Sequence, residues 1–226
     1  IILEAIVENV ELKKDLFKKI EEYCSDDTII GTNTSFIPIT KLAEDLKKSV
    51  LQYAMQGKMT KQLSTDSSVE TLCKKICEEK GVKSFANILS DDIPFDIPAS
   101  WVWCKIADVI IKDIGGGTPS KVVSEYWGGD IPWMSVKDFS NAKNGIIIDT
   151  IDHITQSGVE NSSTNVIDTD AIIICTRMGL GKYAKLANPT AINQDLRAIW
   201  LSKNINERYF VYFYSSLRIK GAGTTV

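Results

Sequence analysis

The sequence predicts an α+β protein in which amino-terminal helices, a partial coiled-coil-like arm, precede a mixed α/β domain with a small curved sheet. Apolar residues recur at helical spacing in the first 80 or so residues. Beyond about residue 91 the chain is instead rich in isoleucine, threonine, glycine and tryptophan, in short β-prone runs. We therefore predict a helical region over residues 1–85 and a second domain over residues 86–226.

Three helices are predicted in the first region. The first covers roughly residues 2–24, where apolar side chains recur every three or four positions. The second begins near Thr40 and ends at Gly57, a residue suited to a left-handed cap, and its apolar side suits a partner helix. The third opens at a capping-box pattern, Ser67-Ser68-Val69-Glu70, and ends at Gly81.

The second domain opens with Ile93-Pro94-Phe95-Asp96-Ile97-Pro98, which cannot continue a helix. Its β-prone runs are separated by polar turns, and a closing helix is predicted over Glu207–Leu217. The four predicted strands are Ile131–Val136, Ile146–Thr150, Ala171–Thr176 and Ala198–Leu201. Of the tryptophans, Trp101 and Trp103 are predicted to anchor the core.

Composition limits the possible classes of protein. The 226 residues carry a formal net charge of −3, and no apolar run approaches the roughly 20 residues of a membrane span. We expect a cytoplasmic protein that does not enter a membrane. Five cysteines, an odd number without a Cys-x-x-Cys pair, are predicted to be free and structural. With one histidine, His153, no metal site is expected.

Motifs that would indicate catalysis are incomplete. Gly179-Leu180-Gly181-Lys182 resembles a nucleotide loop, but Tyr183 stands where Ser or Thr should hold magnesium. Asn188-Pro189-Thr190 lacks the second proline and the aromatic residue of an adenine-methyltransferase loop. We therefore predict no catalytic residues. Gly115-Gly116-Gly117 could cradle a phosphate through backbone amides, but could equally form an ordinary flexible loop.

A series of strings in the sequence carries a family resemblance. Those strings are LKKSVLQYAMQGKM at residues 46–59, DIPFDIPASWVW at 92–103, GGTPS at 116–120, EYWGGDIPW at 125–133 and GAGTT at 221–225. In this order they resemble the DNA-specificity subunits of type I restriction–modification systems. The resemblance covers about residues 41–226 and one target-recognition domain, half of the usual two-domain subunit.

The resemblance implies a function in selection rather than catalysis. It implies that residues 86–226 recognise double-stranded DNA, while residues 1–85 act as a spacer that binds methyltransferase (M) subunits of a complex that also holds a restriction (R) subunit. The target would be bipartite, and S-adenosylmethionine would be bound by the partner methyltransferase, with no cofactor on this chain. Self-pairing through the helices would make both target halves identical and inverted.

A second interpretation of the sequence remains open. The low basic charge favours a helical scaffold or inhibitor that binds the methyltransferase without reading DNA, because phosphate neutralisation supplies most non-specific affinity. If DNA is read, candidate base contacts are Lys137, Arg177, Asn193, Gln194 and Arg197. Asn193 and Gln194 could instead pin a buried turn, and Arg197 could pair near Asp195.

Other candidate residues position the DNA rather than read it. Lys121, Lys182 and Lys220 are predicted to contact phosphates. The loop that carries Thr118, Ser120 and Tyr126 lies between glycines and is predicted to face the DNA.

Overall fold

The computed structural model describes residues 2–5, 7, 9–24, 28, 30–32, 46, 49–63, 68–89, 93–177 and 179–216. The chain forms two compact units, Ile1–Met59 and Thr60–Val226. The boundary at residues 85 and 86, which the change in composition along the sequence predicts, stays a prediction. Within the described residues, no helix combines the length and the apolar content that crossing a bilayer would require.

The first unit begins with a strand, where the sequence predicts a helix. Strand β1 (Ile2–Glu4) is followed by helix α1 (Val10–Glu21) and strand β2 (Ile30–Thr32). The helix begins where the Asn9 side chain accepts hydrogen bonds from the backbone amides of Glu11 and Leu12, at 3.0 and 3.1 Å. The prediction of one helix over residues 2–24 is therefore wrong at its amino end.

The two strands of this unit run parallel, with Ile2 opposite Ile30. Parallel neighbours need a crossover, which α1 supplies. A coiled-coil arm is not confirmed, because residues 2–32 contain a β-α-β arrangement rather than two helices.

A second helix, α2, is described over residues 49–55. It ends as predicted: Gly57 has a φ of 68°, and the amide of Lys58 donates to the Tyr53 carbonyl at 3.1 Å. The amide of Gly57 donates to the Ala54 carbonyl at 3.0 Å, which completes a Schellman ending. The predicted start near Thr40 lies outside the described residues.

The second unit opens with α3 (Val69–Lys80), which confirms the third predicted helix. Ser68 is the residue before the first helical turn, and its hydroxyl donates to the Glu70 carboxylate instead of accepting from the backbone. Ser67, the first residue of the predicted capping box, lies outside the described residues. Gly81 ends the helix with a φ of 75°. Three further helices follow, namely α4 (Ile106–Val109), α5 (Gln156–Glu160) and α6 (Glu207–Ser216).

The described residues of this unit include nine strands, which build two sheets. Their bounds are β3 (Ile110–Gly115), β4 (Trp127–Met134), β5 (Ile146–Ile147), β6 (Asp152–Ile154), β7 (Asn165–Ile167), β8 (Ile172–Cys175), β9 (Tyr183–Leu186), β10 (Thr190–Ile192) and β11 (Leu196–Leu201). One sheet has the order β6-β4-β10-β7 and the other β3-β11-β8-β9-β5. The predicted α+β class is confirmed, and each of the four predicted strands overlaps an observed one.

The core lies in layers around β8. Ile173 and Cys175 belong to a buried cluster that also holds Met134 and Ile192 of the four-stranded sheet. Ile172 and Ile174 belong to a second cluster, which holds Phe210 and Tyr214 of α6. Since neighbouring residues of a strand point to opposite faces, β8 is buried on both sides, between the other sheet and α6. This two-sided burial explains its uninterrupted apolar sequence.

Candidate nucleic-acid interface

A strip of three glycines, Gly115–Gly117, crosses from one sheet to the other. A Cβ on Gly116 would lie 2.0 Å from the Ile192 carbonyl oxygen, and one on Gly117 would lie 2.2 Å from the Ser163 hydroxyl. The Gly117 amide donates to the Ile192 carbonyl at 2.9 Å. At Gly116 and Gly117 glycine is therefore required because two backbones approach closely, and the Gly117 amide is already paired within the fold.

Several loops begin at the same end of the strands in the five-stranded sheet. In its register Leu196 lies opposite Cys175, and Arg197 lies opposite Gly115. The described residues that continue from these positions are 116–118, 176–177, 179–182 and 193–195, and we call them together the rim. The rim brings together Thr118, Arg177, Lys182, Asn193 and Gln194, five of the predicted site residues, with Arg197 on the adjoining strand β11.

The Asn193-Gln194 pair divides its two side chains between the interior and the solvent. Asn193 is buried, and its side-chain oxygen accepts from the Asp195 amide at 3.0 Å. The backbone amide of Asn193 donates to the Met134 carbonyl at 3.0 Å, and this bond joins the turn to the end of β4. Gln194 is exposed, and its side-chain oxygen accepts from the Thr118 hydroxyl. Gln194 therefore presents its amide at the rim, whereas Asn193 fixes the turn.

The two arginines have different acidic partners. The Arg197 guanidinium donates through Nε to the Asp113 carboxylate on the neighbouring strand β3. Arg177 lies 3.8 Å from the Asp195 carboxylate, and 70% of its side chain is exposed. The pairing near Asp195 that the sequence raised for Arg197 is thus made by Arg177. Because this contact is long and solvated, Arg177 retains donors for another acceptor.

A β-turn follows the rim along the chain. The Val123 amide donates to the Ser120 carbonyl at 3.3 Å, with Lys121 and Val122 at the two central positions. The indole of Trp127 donates to the same carbonyl at 3.1 Å. Ser120 and Lys121 are exposed, as the predicted role of this loop requires.

Two tryptophans connect the turn to the glycine strip. The Trp127 and Trp133 rings meet edge to face, with centroids 5.2 Å apart, and the Trp133 indole donates to the Gly117 carbonyl at 3.1 Å. We call Trp127 and Trp133 the indole brace. Tyr126 is half-buried beside it, and its carbonyl accepts from the Thr155 amide at 3.0 Å. The brace fixes both ends of the segment that carries Thr118 and Ser120.

Of the predicted lysines, Lys182 belongs to the rim, whereas Lys137 and Lys220 do not. Lys137 is exposed on a 3₁₀ turn (Val136–Asn141) that follows β4. Lys182 is half-buried at the start of β9, where its backbone amide donates to the Gly179 carbonyl at 3.0 Å. Lys220 and residues 221–225 lie outside the described residues.

The tryptophan prediction needs a correction. Trp101 and Trp103 are only half-buried, with the Trp101 indole donating to the Gln62 side chain at 2.9 Å. The buried tryptophan is Trp133, at 4% exposure. The prediction rested on the general tendency of tryptophan to anchor a core, which does not distinguish among the five tryptophans. The distinguishing signal is position 133 within the run Ile131–Met134.

Metal-ligating and acidic groups are scattered in the second unit. His153 Nε2 lies 2.9 Å from an Asp149 carboxylate oxygen. Within the described ranges, no three His, Cys, Asp or Glu side chains gather in a way that could hold a metal ion. Burial raises the pKa of the Cys104 thiol to about 11, so this cysteine stays protonated at neutral pH.

The amino-terminal segment is similar to a different kind of protein. Residues 1–77 match the family "3-hydroxyacyl-CoA dehydrogenase, NAD binding domain". A 3-hydroxybutyryl-CoA dehydrogenase of Clostridioides difficile is 48% identical over 48 residues, which is 21% of this chain and 17% of that protein. Sequence analysis missed this likeness, although the β-prone Ile1–Leu3 and the capping residue Asn9 could have indicated a strand before the helix.

The second unit has relatives of another kind. A type I restriction enzyme MjaIX specificity subunit of Methanocaldococcus jannaschii is 34% identical over 120 residues, 53% of this chain and 28% of that protein. The Escherichia coli EcoR124I/EcoR124II specificity subunit is 36% identical over 117 residues, 50% of this chain and 28% of that protein. The chain therefore spans under a third of the length of either relative.

Solved structures with low sequence identity also align with the chain. The HsdS subunit from Thermoanaerobacter tengcongensis aligns with 96% of this chain and 41% of its own, at 13% identity and a TM-score of 0.44. A family model also matches this part of the chain. Residues 98–224, more than half of the chain, match the "Type I restriction modification DNA specificity domain". With the rim, the indole brace and both sheets inside that span, the chain belongs to the type I restriction–modification DNA specificity domain family.

Proposed function

We propose that this chain reads a DNA sequence for a type I restriction–modification complex and directs partner methyltransferase and endonuclease subunits to their target. The observation that carries the proposal is the family match over residues 98–224. This span includes the whole rim. The role would place the chain with cellular DNA in the cytoplasm.

The chemistry of the rim supports base reading. Gln194 presents an amide, which can form paired hydrogen bonds with the major-groove edge of adenine, and Arg177 presents a guanidinium suited to guanine. Lys121 lies on the neighbouring turn, where a point charge suits a phosphate. The side chains project from backbone that the glycine strip and the indole brace fix in place, as accurate reading requires.

Catalysis is assigned to the partners. We propose that this chain is a non-catalytic subunit and that S-adenosylmethionine binds to the methyltransferase rather than to this chain. The relatives are named specificity subunits, and the sequence lacks a complete methyltransferase loop between Asn188 and Thr190.

The partners and the target follow from the same proposal. Double-stranded DNA, methyltransferase subunits and a restriction subunit are the expected partners. The recognition unit in this chain reads one half of a bipartite target, and pairing of two copies through helices would make both halves identical and inverted.

A scaffold that binds the methyltransferase without reading DNA is not favoured. Such a protein would act through its amino-terminal helices, whereas the specificity-domain match lies over the two sheets and the rim. The net charge of −3 is consistent with DNA reading if the partner supplies the basic surface.

The first experiment is to produce the chain together with a type I methyltransferase subunit and to map adenine methylation across the host DNA. We expect one split motif that appears only when the chain is present. The methyltransferase without the chain is the control. A stable complex that yields no chain-dependent methylation would contradict the proposal and favour the scaffold.

Salt dependence provides a second readout. The complex should lose affinity for duplex DNA steeply as salt rises, since counterions are released from each neutralised phosphate. A chain that only bridges proteins would leave the salt dependence of the methyltransferase unchanged.

A further inference from the structure

Val122 has an unusual place for an apolar side chain. It is 92% exposed, more than any other large hydrophobic residue in the described part of the chain. It stands at a central position of the Ser120–Val123 turn, next to the exposed Lys121. The central positions of turns are usually occupied by polar residues or glycine. An almost fully exposed valine at this position therefore suggests a functional contact.

The exposure of Val122 is not the result of a loose loop. The Ser120 carbonyl accepts two hydrogen bonds, from the Val123 amide at 3.3 Å and from the Trp127 indole at 3.1 Å. The Tyr126 amide donates to the Val123 carbonyl at 3.2 Å, which closes the next turn of the chain. The structure therefore holds the isopropyl group outward on a fixed tip.

The fixed tip is connected to the rim. Trp127 packs on Trp133, and the Trp133 indole binds the Gly117 carbonyl at 3.1 Å. Thr118, the next residue, donates to Gln194. A movement of the tip relative to the rim would break this chain of contacts, so DNA that meets Gln194 meets the tip in a defined register.

The chemistry of valine restricts what the tip can read. An isopropyl group has no donor or acceptor, so it cannot distinguish base edges by hydrogen bonds. In the major groove, the apolar feature that differs between base pairs is the C5-methyl group of thymine. Lys121, one residue away, can hold the adjoining phosphate while the valine reaches the base edge.

We propose that Val122 is a specificity-determining residue that contacts the C5-methyl group of one thymine in the target. The inference rests on the proposed function, since it assumes that the chain reads duplex DNA.

The test uses uracil, which differs from thymine by this methyl group alone. In the complex with the methyltransferase, binding is measured to duplexes that carry the chain-dependent motif with each thymine replaced singly by uracil. At one position we expect wild-type affinity to fall about fourfold, the factor that corresponds to burying one methyl group. Val122→Ala should bind the thymine duplex more weakly and lose nothing further with uracil there.

Two matched variants control the test. Val102→Ala makes the same change at another exposed valine of the second unit and should retain the full response to uracil. Lys121→Ala should weaken binding to the thymine and uracil duplexes by the same factor.

Each other outcome overturns the inference in a recognisable way. If the wild-type complex selects its motif but binds every uracil duplex as tightly as the thymine duplex, Val122 does not read a thymine methyl group. The proposed function would then stand without this inference. A response to uracil that persists unchanged in Val122→Ala would assign the methyl contact to another residue. Loss of methyltransferase binding in Val122→Ala would make the tip a protein contact. A wild-type complex without motif selection would overturn the proposed function and this inference together.

Discussion

The Glu79 carboxylate on α3 accepts a hydrogen bond from the Ser202 hydroxyl at 2.6 Å, across more than 120 residues of chain. The same carboxylate accepts from the Asn204 side chain at 3.1 Å and from the Lys203 amide at 3.2 Å. These contacts fix α3 to the turn that follows β11. Helix α3 thus has polar attachments within the second unit, whereas the sequence predicts it to be part of the spacer.

The attachment predicts an acid-dependent contribution to stability. Hydrogen bonding, first of all from Ser202, lowers the pKa of Glu79 below its ordinary value near 4.5. The contribution is therefore fully present above that value and is lost as the pH falls through the lower pKa of the folded state. Glu79→Gln should lower the urea midpoint at pH 7, and its difference from wild type should shrink on acidification.

Tryptophan fluorescence can follow this transition, because all five tryptophans lie between residues 101 and 200, in the second unit. Glu78→Gln is the control, since the Glu78 side chain is exposed next to Glu79 and its carboxylate lies 4.0 Å from the Lys74 ammonium. An acid profile for Glu79→Gln that stays parallel to wild type down to pH 3 would contradict the assignment.

Gly116→Ala should destabilise the second unit. A Cβ at this position would lie 2.0 Å from the Ile192 carbonyl oxygen and 2.5 Å from that of Asn193, both of them backbone atoms that cannot rotate away. We expect a cost of about 1–3 kcal/mol or more in the free energy of unfolding, as for other overpacked sites. Urea unfolding measures it.

Gly115→Ala is the matched control for this prediction. A Cβ on Gly115 meets nothing within 4 Å, so its urea midpoint should stay near that of wild type. Equal destabilisation of both variants would show that the strip needs glycine for backbone freedom rather than for close approach.

The two arginines predict different effects on sequence selection. Arg177→Ala should relax one base position at a cost of about 1–3 kcal/mol, because its guanidinium is largely exposed and only weakly paired with Asp195. Arg197→Ala should act less on selection, because Arg197 is already paired with Asp113. Selection from a random duplex library with the methyltransferase complex measures both.

Lys121→Ala provides the comparison for the arginine variants, since a lost phosphate contact should weaken binding to all sequences alike and reduce the salt slope by about one. Arg177→Ala with an unchanged selected motif would remove Arg177 from the base contacts.

Parts of this fold could be read from sequence because local signals determine them. Gly57 and Gly81 mark helix ends, since only glycine easily adopts the positive φ found there. The apolar run at β8 indicates a strand buried on both faces. Strands β3, β6 and β7 were not predicted, nor were β9 and β10, whose buried positions include Ala184 and Ala191. Alanine is common at both buried and exposed positions, so neither residue indicates a buried strand.

The candidate site could be predicted only as a list of residues. Its chemistry follows from residue type, but which side chains reach solvent depends on pairing between distant segments. Asn193 and Gln194 are neighbours, yet one is buried and one exposed because β10 ends beside β4. The amino-terminal strand was missed because Ile1–Val10 fits helical spacing as well as a strand, and the parallel partner Ile30 that decides between them lies 28 residues from Ile2.

Tyr214 predicts an alkaline limit to stability. Its hydroxyl donates to the Cys175 carbonyl at 2.5 Å, at the buried contact between α6 and β8. Burial raises the pKa of Tyr214 to about 12, above the ordinary value near 10. The neutral form is therefore favoured in the folded state, so its contribution is fully present below pH 10 and is lost as the pH rises toward 12.

Tyr214→Phe separates this effect from other alkaline titrations. The variant should lose about 1 kcal/mol of unfolding free energy at pH 7, the net value of one hydrogen bond. Its deficit should shrink between pH 10 and 12, because phenylalanine has no proton to lose. Tyr212→Phe, half-exposed on the same helix, should match wild type at pH 7. If the Tyr214→Phe deficit instead stayed constant up to pH 12, the hydroxyl would not be the group that limits stability, and the contact between α6 and β8 would depend on apolar packing alone.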